Sequence, residues 1–360
     1  MRVRALLRSV HTWGGLTIGL LVAVLALSGS ALVFRGDFER WQVRDWLEVE
    51  TTNAPLTLDQ VVAIGAAQIP QKEVVRVVLP HTPRDSIEVI LQKRQPRNLK
   101  DADLVGVFVD PYRGAVLGQR SRAAGWLWSV QDFHYALFAG DAGLKVNGVG
   151  AAVLLGLALS GPLLWWPGWR RRAQAFRVRR QPSIAKWRDL HALAGAVASL
   201  ALLLISVTAL YFAYRTTAMA VVALASGSGG VQPPRASAPP TAVPASFDAL
   251  LNNARNVVPE AIFDELRPSR APGMAASASF RLSGDAVVGR HRIYLDPSTG
   301  VVLRVDRFGA LPLGARVQGN IVPWHYGTFG GRVTQWLWFI AGLVPAGLFA
   351  SGLWLWLKKR

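Results

Sequence analysis

Four histidines stand at the ends of long apolar runs: His11, His134, His191 and His325. His134 lies in Phe133-His134-Tyr135-Ala136-Leu137-Phe138-Ala139-Gly140. His325 lies in Trp324-His325-Tyr326-Gly327-Thr328-Phe329-Gly330-Gly331. Both stretches read aromatic-His-Tyr-x-x-Phe, then Gly or Ala followed by Gly. A neutral imidazole nitrogen binds metals and exchanges protons near neutral pH, and an ionisable side chain at a membrane span is a functional candidate by default. One such histidine is as readily a hydrogen-bond partner for nearby backbone; four at matched depths favour shared chemistry. The remaining two, His81 and His291, fall in polar segments and are expected at the surface.

The elements that position these residues follow from composition. The chain has 360 residues, 51% hydrophobic and 17% charged. Four stretches, 12–34, 148–168, 190–214 and 333–357, carry no Lys, Arg, Asp or Glu in their interiors. Each reaches the ~20 residues a spanning helix requires. The formal charge of +18 is concentrated: residues 1–10, 169–190 and 358–360 together hold +13, whereas 35–145 is neutral and 215–332 carries +5. That is the distribution of a membrane protein whose termini and middle loop are cytoplasmic, not of a nucleic-acid-binding face. Cysteine is absent, which excludes disulfides, thiolate catalysis and cysteine-ligated clusters. No His-Glu-x-x-His, P-loop or dinucleotide fingerprint occurs, and the neighbouring acids Asp264 and Glu265 read as a module surface.

Taken in order, residues 1–37 form a first span, longer than a signal-peptide core. Residues 38–122 read as a small external α+β module. In it Thr57-Leu58-Asp59-Gln60 is a capping box opening a helix to Gln68. Lys72–Leu79, Ser86–Gln92 and Leu104–Asp110 read as strands. Residues 123–169 hold an interfacial histidine helix and the second span, 170–188 a basic cytoplasmic loop, 189–215 the third span and 216–245 a flexible linker. A second module, 246–318, has a helix over Ser246–Val257 and strands over Ala261–Leu266, Ser277–Leu282 and Arg290–Leu295. Residues 319–360 contain the His325 segment and the fourth span. Asp296-Pro297-Ser298-Thr299-Gly300-Val301-Val302-Leu303 matches Asp110-Pro111-Tyr112-Arg113-Gly114-Ala115-Val116-Leu117. Likewise Ser351-Gly352 answers Ser160-Gly161. The fold class expected is an α-helical bundle of four transmembrane helices with short interfacial helices and two periplasmic α+β modules. The unit occurs twice in parallel, about an axis along the membrane normal.

These motifs, with His11-Thr12-Trp13-Gly14-Gly15 and His191-Ala192-Leu193-Ala194-Gly195 added, resemble the PepSY-associated transmembrane family over nearly the whole chain. The resemblance implies a bacterial inner-membrane protein related to iron-regulated proteins. Some of these are ferrisiderophore reductases carrying b-type haem. Against this background the equivalent histidines are expected to meet in twos, His11 with His191 and His134 with His325. Each couple would ligate one of two bis-His haems. Pairing of His11 with His134 is disfavoured, because a 20-residue span separates its ends by about 30 Å. Gly14, Gly15, Gly19, Ala192, Ala194, Gly195 and Ala198 are candidates for clearance beside the macrocycle, or simply for close helix packing. Arg8, Arg188, Arg316 and Arg332 are candidates for haem propionates, or for interfacial anchors. The electron acceptor would be a periplasmic ferric chelate such as a ferrisiderophore, and the donor a quinol or a cytoplasmic reductase. The rival expectation is a membrane-anchored PepSY binding or regulatory protein, with a peptidase or uptake partner and no redox chemistry. A transporter is disfavoured by the absence of charged or broken mid-span residues.

Overall fold

The computed structural model describes residues 2–52, 54–93, 104–122, 125–181, 183–236, 243–284 and 290–358. The helices, in chain order, are α1 (Arg2–Thr17), α2 (Gly19–Leu32), α3 (Arg35–Gln42), α4 (Leu58–Ala67), α5 (Trp126–Ala136), α6 (Gly140–Trp165), α7 (Arg172–Ala175), α8 (Ile184–Ala213), α9 (Arg215–Ser226), α10 (Phe247–Val257), α11 (Leu313–Tyr326) and α12 (Gly331–Leu357). The strands are β1 (Lys72–Val78), β2 (Ile87–Lys93), β3 (Val105–Val109), β4 (Val116–Ser121), β5 (Ile262–Arg267), β6 (Ala276–Arg281), β7 (His291–Leu295) and β8 (Val302–Asp306). The chain divides into two compact units. One is helical, residues 1–35, 129–227 and 320–360; the other is built on the sheet, residues 36–128 and 228–319.

In the helical unit, α6, α8 and α12 are long and apolar enough to cross a membrane. The first expected span differs: α1 and α2 are bent by 64° at Ile18, so the unit has three such helices, or four if the bent pair is one span. Glycine explains the break. Gly19 lacks the Cβ that would lie 2.8 Å from the Phe349 ring of α12, and glycine beside a bend lowers its cost. Small residues also govern the other crossings. A Cβ on Gly342 would meet Ser30 Oγ and the Ala26 carbonyl, and Ser30 Oγ donates to the Phe339 carbonyl at 2.8 Å. Gly148 admits Ala213 and Tyr214 in the same way. Such contacts drive association where lipid removes the hydrophobic incentive. The stretch 216–245, expected as a linker, contains most of α9, and Arg235 bridges to Met274. The run Met219–Ser226 continues helical because it holds no helix breaker before Gly227, which ends it at φ +65°.

The sheet unit departs from the expectation of two separate modules. Its eight strands form one antiparallel sheet, ordered β4-β3-β2-β1-β5-β6-β7-β8. The join is β1 against β5, with Val77 opposite Leu266 and Val78 opposite Glu265. Helices α4 and α10 cover one face and close a single core that includes Val61, Val77, Val89, Leu251, Phe280 and Ile293. The capping box forms as the sequence implies: Thr57 Oγ1 accepts from Gln60 N, and Gln60 Oε1 accepts from Thr57 N. The helix N-termini are also linked. Asp248 accepts from Leu58 N and Asp59 N, both at 2.9 Å. Asp59 accepts from Phe247 N at 2.7 Å and Asp248 N at 3.2 Å.

Two placements are corrected. His291 is buried on β7, stacked on Phe280 with ring centres 5.0 Å apart, and its Nδ1 accepts from Phe308 N. Asp264 and Glu265 are buried as well, because β5 lies at the centre of the joined sheet and not at a module edge. Burial alone would raise the Glu265 carboxyl, but Arg267, Arg76 and Arg290 outweigh it and hold it below the ordinary range. His81 is at the surface as expected and pairs with Asp264 at 2.9 Å.

The Asp-Pro-x-x-Gly turns depend on glycine. Gly114 and Gly300 have φ of +67° and +72°, and each N–H donates to the aspartate carbonyl four residues back, both at 2.9 Å. Asp296 Oδ1 accepts from Ser298 Oγ, Ser298 N and Thr299 N. These bonds, the Ser298 hydroxyl foremost, hold its carboxyl down at about 2. Gly300→Ala is expected to cost about 1–2 kcal/mol, the penalty of a left-handed L-residue. Its Cβ would also sit 2.8 Å from Asn253 Nδ2. A thermal melt checks this; an unchanged midpoint would mean that the turn relaxes to another type.

Candidate functional site

The four histidines come together in two couples inside the helical unit. The rings of His11 (α1) and His191 (α8) have centres 6.4 Å apart and planes at 80°. Those of His134 (α5) and His325 (α11) are 6.2 Å apart at 47°. Each of the four residues is half-buried. His11 and His134 are not neighbours, as expected from the span between them. The couples are well separated: α8 carries His191 and, seventeen residues on, Thr208, which touches His325. At 1.5 Å per residue that is a rise of about 25 Å.

Each imidazole is held from behind by a hydroxyl on a neighbouring helix. His11 Nδ1 lies 2.7 Å from Ser160 Oγ, His191 Nδ1 2.9 Å from Ser351 Oγ, His134 Nδ1 3.0 Å from Ser28 Oγ, and His325 Nδ1 2.9 Å from Thr208 Oγ1. The hydroxyl protons are committed elsewhere. Ser160 donates to the Gly156 carbonyl, Ser351 to Gly347, Ser28 to Leu25 and Thr208 to Leu204, at 2.7–2.8 Å. A hydroxyl has one proton, so toward the ring it accepts, and Nδ1 carries the hydrogen. His134 Nδ1 also faces the Leu25 carbonyl at 2.9 Å, which only accepts. Nε2 is thereby left with its lone pair in all four rings.

Glycine clears the space at two of the rings, and they are not the glycines the sequence suggested. A Cβ on Gly29 would lie 2.8 Å from His134 Cε1 and one on Gly352 3.3 Å from His191 Cε1, whereas one on Gly161, 3.6 Å from His11 Cε1, would make only ordinary contact. Each follows its serine by one residue. Gly14 and Gly195 instead meet neighbouring helices at ordinary contact distance, and Gly15 faces open space. The visible signal was the repeated Ser-Gly pair; what hid its role was that it serves a histidine on a different helix.

The turns after the second couple are braced. Asn147 Nδ2 donates to the His134 and Tyr135 carbonyls at 2.9 and 3.0 Å, and Thr334 Oγ1 to the Gly327 carbonyl at 2.6 Å. Leu137 and Phe138 adopt left-handed backbone, φ +50° and +59°, between α5 and α6. Non-glycine residues held this way cluster at functional sites. Among the described residues, five buried side-chain atoms lack hydrogen-bond partners: Arg122 Nε in the sheet unit, and Gln131 Oε1, Asn147 Oδ1, Asn320 Oδ1 and Trp338 Nε1 on the helices around this couple. Unmet buried polar groups so concentrated call for an explanation.

Residues 8–359 match the family model described as the PepSY-associated TM region. The chain belongs to the PepSY-associated TM region family. A comparison with curated proteins finds no match. Within this PepSY-associated chain the candidate arginines are distributed as follows. Arg8 and Arg188 each precede a histidine of the first couple by three residues on its own helix, a same-face spacing, and both are exposed. Arg332 is exposed at the start of α12, with Nη1 3.5 Å from Gln335 Oε1. Arg316 is exposed on the part of α11 that belongs to the sheet unit.

Proposed function

We propose that this membrane protein is a di-haem electron-transfer protein that reduces a periplasmic ferric chelate, such as a ferrisiderophore, and so releases Fe(II). The observation that carries this reading is the two couples of imidazole rings, each ring with a hydroxyl at its Nδ1. Two nitrogen–metal bonds of about 2 Å plus two ring radii of about 1.1 Å put ring centres roughly 6 Å apart, close to the 6.4 and 6.2 Å found. Two nitrogens are too few for a zinc site, which takes three or four protein ligands, and among the described residues no group of three or more His, Cys, Asp or Glu is poised to hold a metal. They suffice for haem iron, which needs only its two axial positions filled.

His11 with His191, and His134 with His325, would hold the two b-type haems. Bound haem supplies an iron that takes up and gives away one electron at a time. Gly29 and Gly352 let neighbouring helices close on the rings of His134 and His191, and Arg8, Arg188 and Arg332 would pair with the haem propionates. With the charge bias of the sequence, the first couple lies toward the cytoplasm and the second toward the periplasm, so the two define an electron path across an inner membrane. Quinol or a cytoplasmic reductase would be the donor. Fe(II) is held less tightly than Fe(III) by hard oxygen donors, which is why reduction frees the metal. The matched strand order on either side of the β1–β5 join supports reading the sheet unit as two PepSY modules and the chain as a parallel repeat.

The purified protein is expected to show a reduced b-type Soret and α-band at about two haems per chain, and the bands should bleach when a ferric chelate is added. A colourless preparation from haem-replete cells would overturn the assignment in favour of a membrane-anchored binding or regulatory protein.

A further inference from the structure

We propose that Ser28, Ser160, Thr208 and Ser351 are positioning residues that fix the imidazole tautomer and set ligand strength, with Ser28 the one backed by a second acceptor. The proposal rests on the haem reading above. The four hydroxyls repeat one device. Each occupies a helix adjoining its histidine, spends its proton on its own helix one turn back, and turns its lone pairs to Nδ1–H. Such an acceptor orients the ring and makes Nε2 a stronger donor to a metal. Stronger donation favours ferric over ferrous iron.

The device is not equally redundant at the four sites. At one of them the carbonyl three residues before the hydroxyl also serves the imidazole: the Leu25 oxygen lies 2.9 Å from His134 Nδ1. Among the described residues, Nδ1 of His11, His191 and His325 has its hydroxyl alone as hydrogen-bond partner. Removing Ser28 leaves a second acceptor to keep the tautomer. Removing Ser160 leaves His11 free to rotate and to move its proton to Nε2, which blocks ligation.

The test uses full-length protein carrying Ser160→Ala, Ser351→Ala, Ser28→Ala or Thr208→Val, with redox-titrated absorbance and haem content as readouts. Ser160→Ala is expected to shift one haem, and only one, to a more positive potential and to weaken its retention about 10- to 100-fold. Ser351→Ala and Thr208→Val should shift their haem alike, Ser28→Ala in the same direction but less, and Ser160→Thr should restore the original potential. Nitrogen-15 NMR of haem-free protein gives a second readout: His11 should lose its Nδ1–H preference in Ser160→Ala, while His134 keeps its own in Ser28→Ala. Should Ser160→Ala fail to fold, Ser160→Cys, a weaker acceptor, reads the same shift. Unchanged potentials and tautomers in a di-haem Ser160 variant, or a larger effect from Ser28→Ala, would overturn the proposal. If wild-type protein carries no haem, the functional reading falls, and the NMR comparison still decides the tautomer claim.

Discussion

Replacing His134 or His325 with alanine is expected to halve the haem content and leave the spectrum of the remaining haem unchanged. Two features make the loss specific. The couples share no residue, and the rise along α8 keeps them about 25 Å apart. Within a couple, each imidazole is held by its own hydroxyl, so deleting one ring does not free its partner to find another metal. His11→Ala or His191→Ala should remove the other half, and His11→Ala combined with His134→Ala should remove all of it. Two controls separate ligation from folding. His81→Ala should retain both haems, since His81 lies in the sheet unit beside Asp264 and Arg281. His291→Ala should destabilise that unit through lost stacking on Phe280, again with both haems present in the folded fraction. Loss of both haems from one single substitution would mean that the couples are not independent. Retention of both in all four variants would sink the ligand assignment.

Most of the helical unit was legible because its information is local. Uncharged runs marked the spans, and equal placement of four histidines in two similar halves implied their partners. The bend at Ile18 was not legible, since the apolar run continues unbroken through it and Gly19 is one of several glycines there. The hydroxyl partners were missed for a related reason. Ser160 and Ser351 stand out in the sequence as a matching pair and Ser28 does not, but each acts on a residue more than a hundred positions away. In the sheet unit, capping box, strands and glycine turns could be read one at a time. The joining of the halves could not, because the β1–β5 pairing is a property of two edges meeting. Burial of Glu265, Asp264 and His291 follows from that join and was therefore misplaced.

The linked helix starts give the sharpest energetic test of the joined sheet. Asp59→Ala and Asp248→Ala are each expected to cost about 2–3 kcal/mol, because each removes two charge-assisted bonds to backbone N–H groups of the opposite helix. An exposed first-turn aspartate acting only on its own helix dipole is worth about 0.3–1 kcal/mol. The size of the loss therefore distinguishes a link between α4 and α10 from two ordinary caps. The asparagine variants should lose less, since an amide oxygen still accepts one bond. The pH dependence has a definite sign. Burial would raise the Asp248 carboxyl, but hydrogen bonds from the Asp59 and Leu58 N–H groups help hold it below its ordinary value. A carboxyl depressed in the folded state contributes its full stability above the unfolded value of about 3.9, and loses it as pH falls further through the folded value. The Asp248→Ala penalty should thus be constant from neutral pH to about pH 5 and shrink below about pH 4. Chemical denaturation of full-length protein at pH 7, 5 and 3.5, followed through the sheet unit, measures it. A penalty under about 0.5 kcal/mol at pH 7, or one that grows on acidification, would show that the two helix starts do not hold each other.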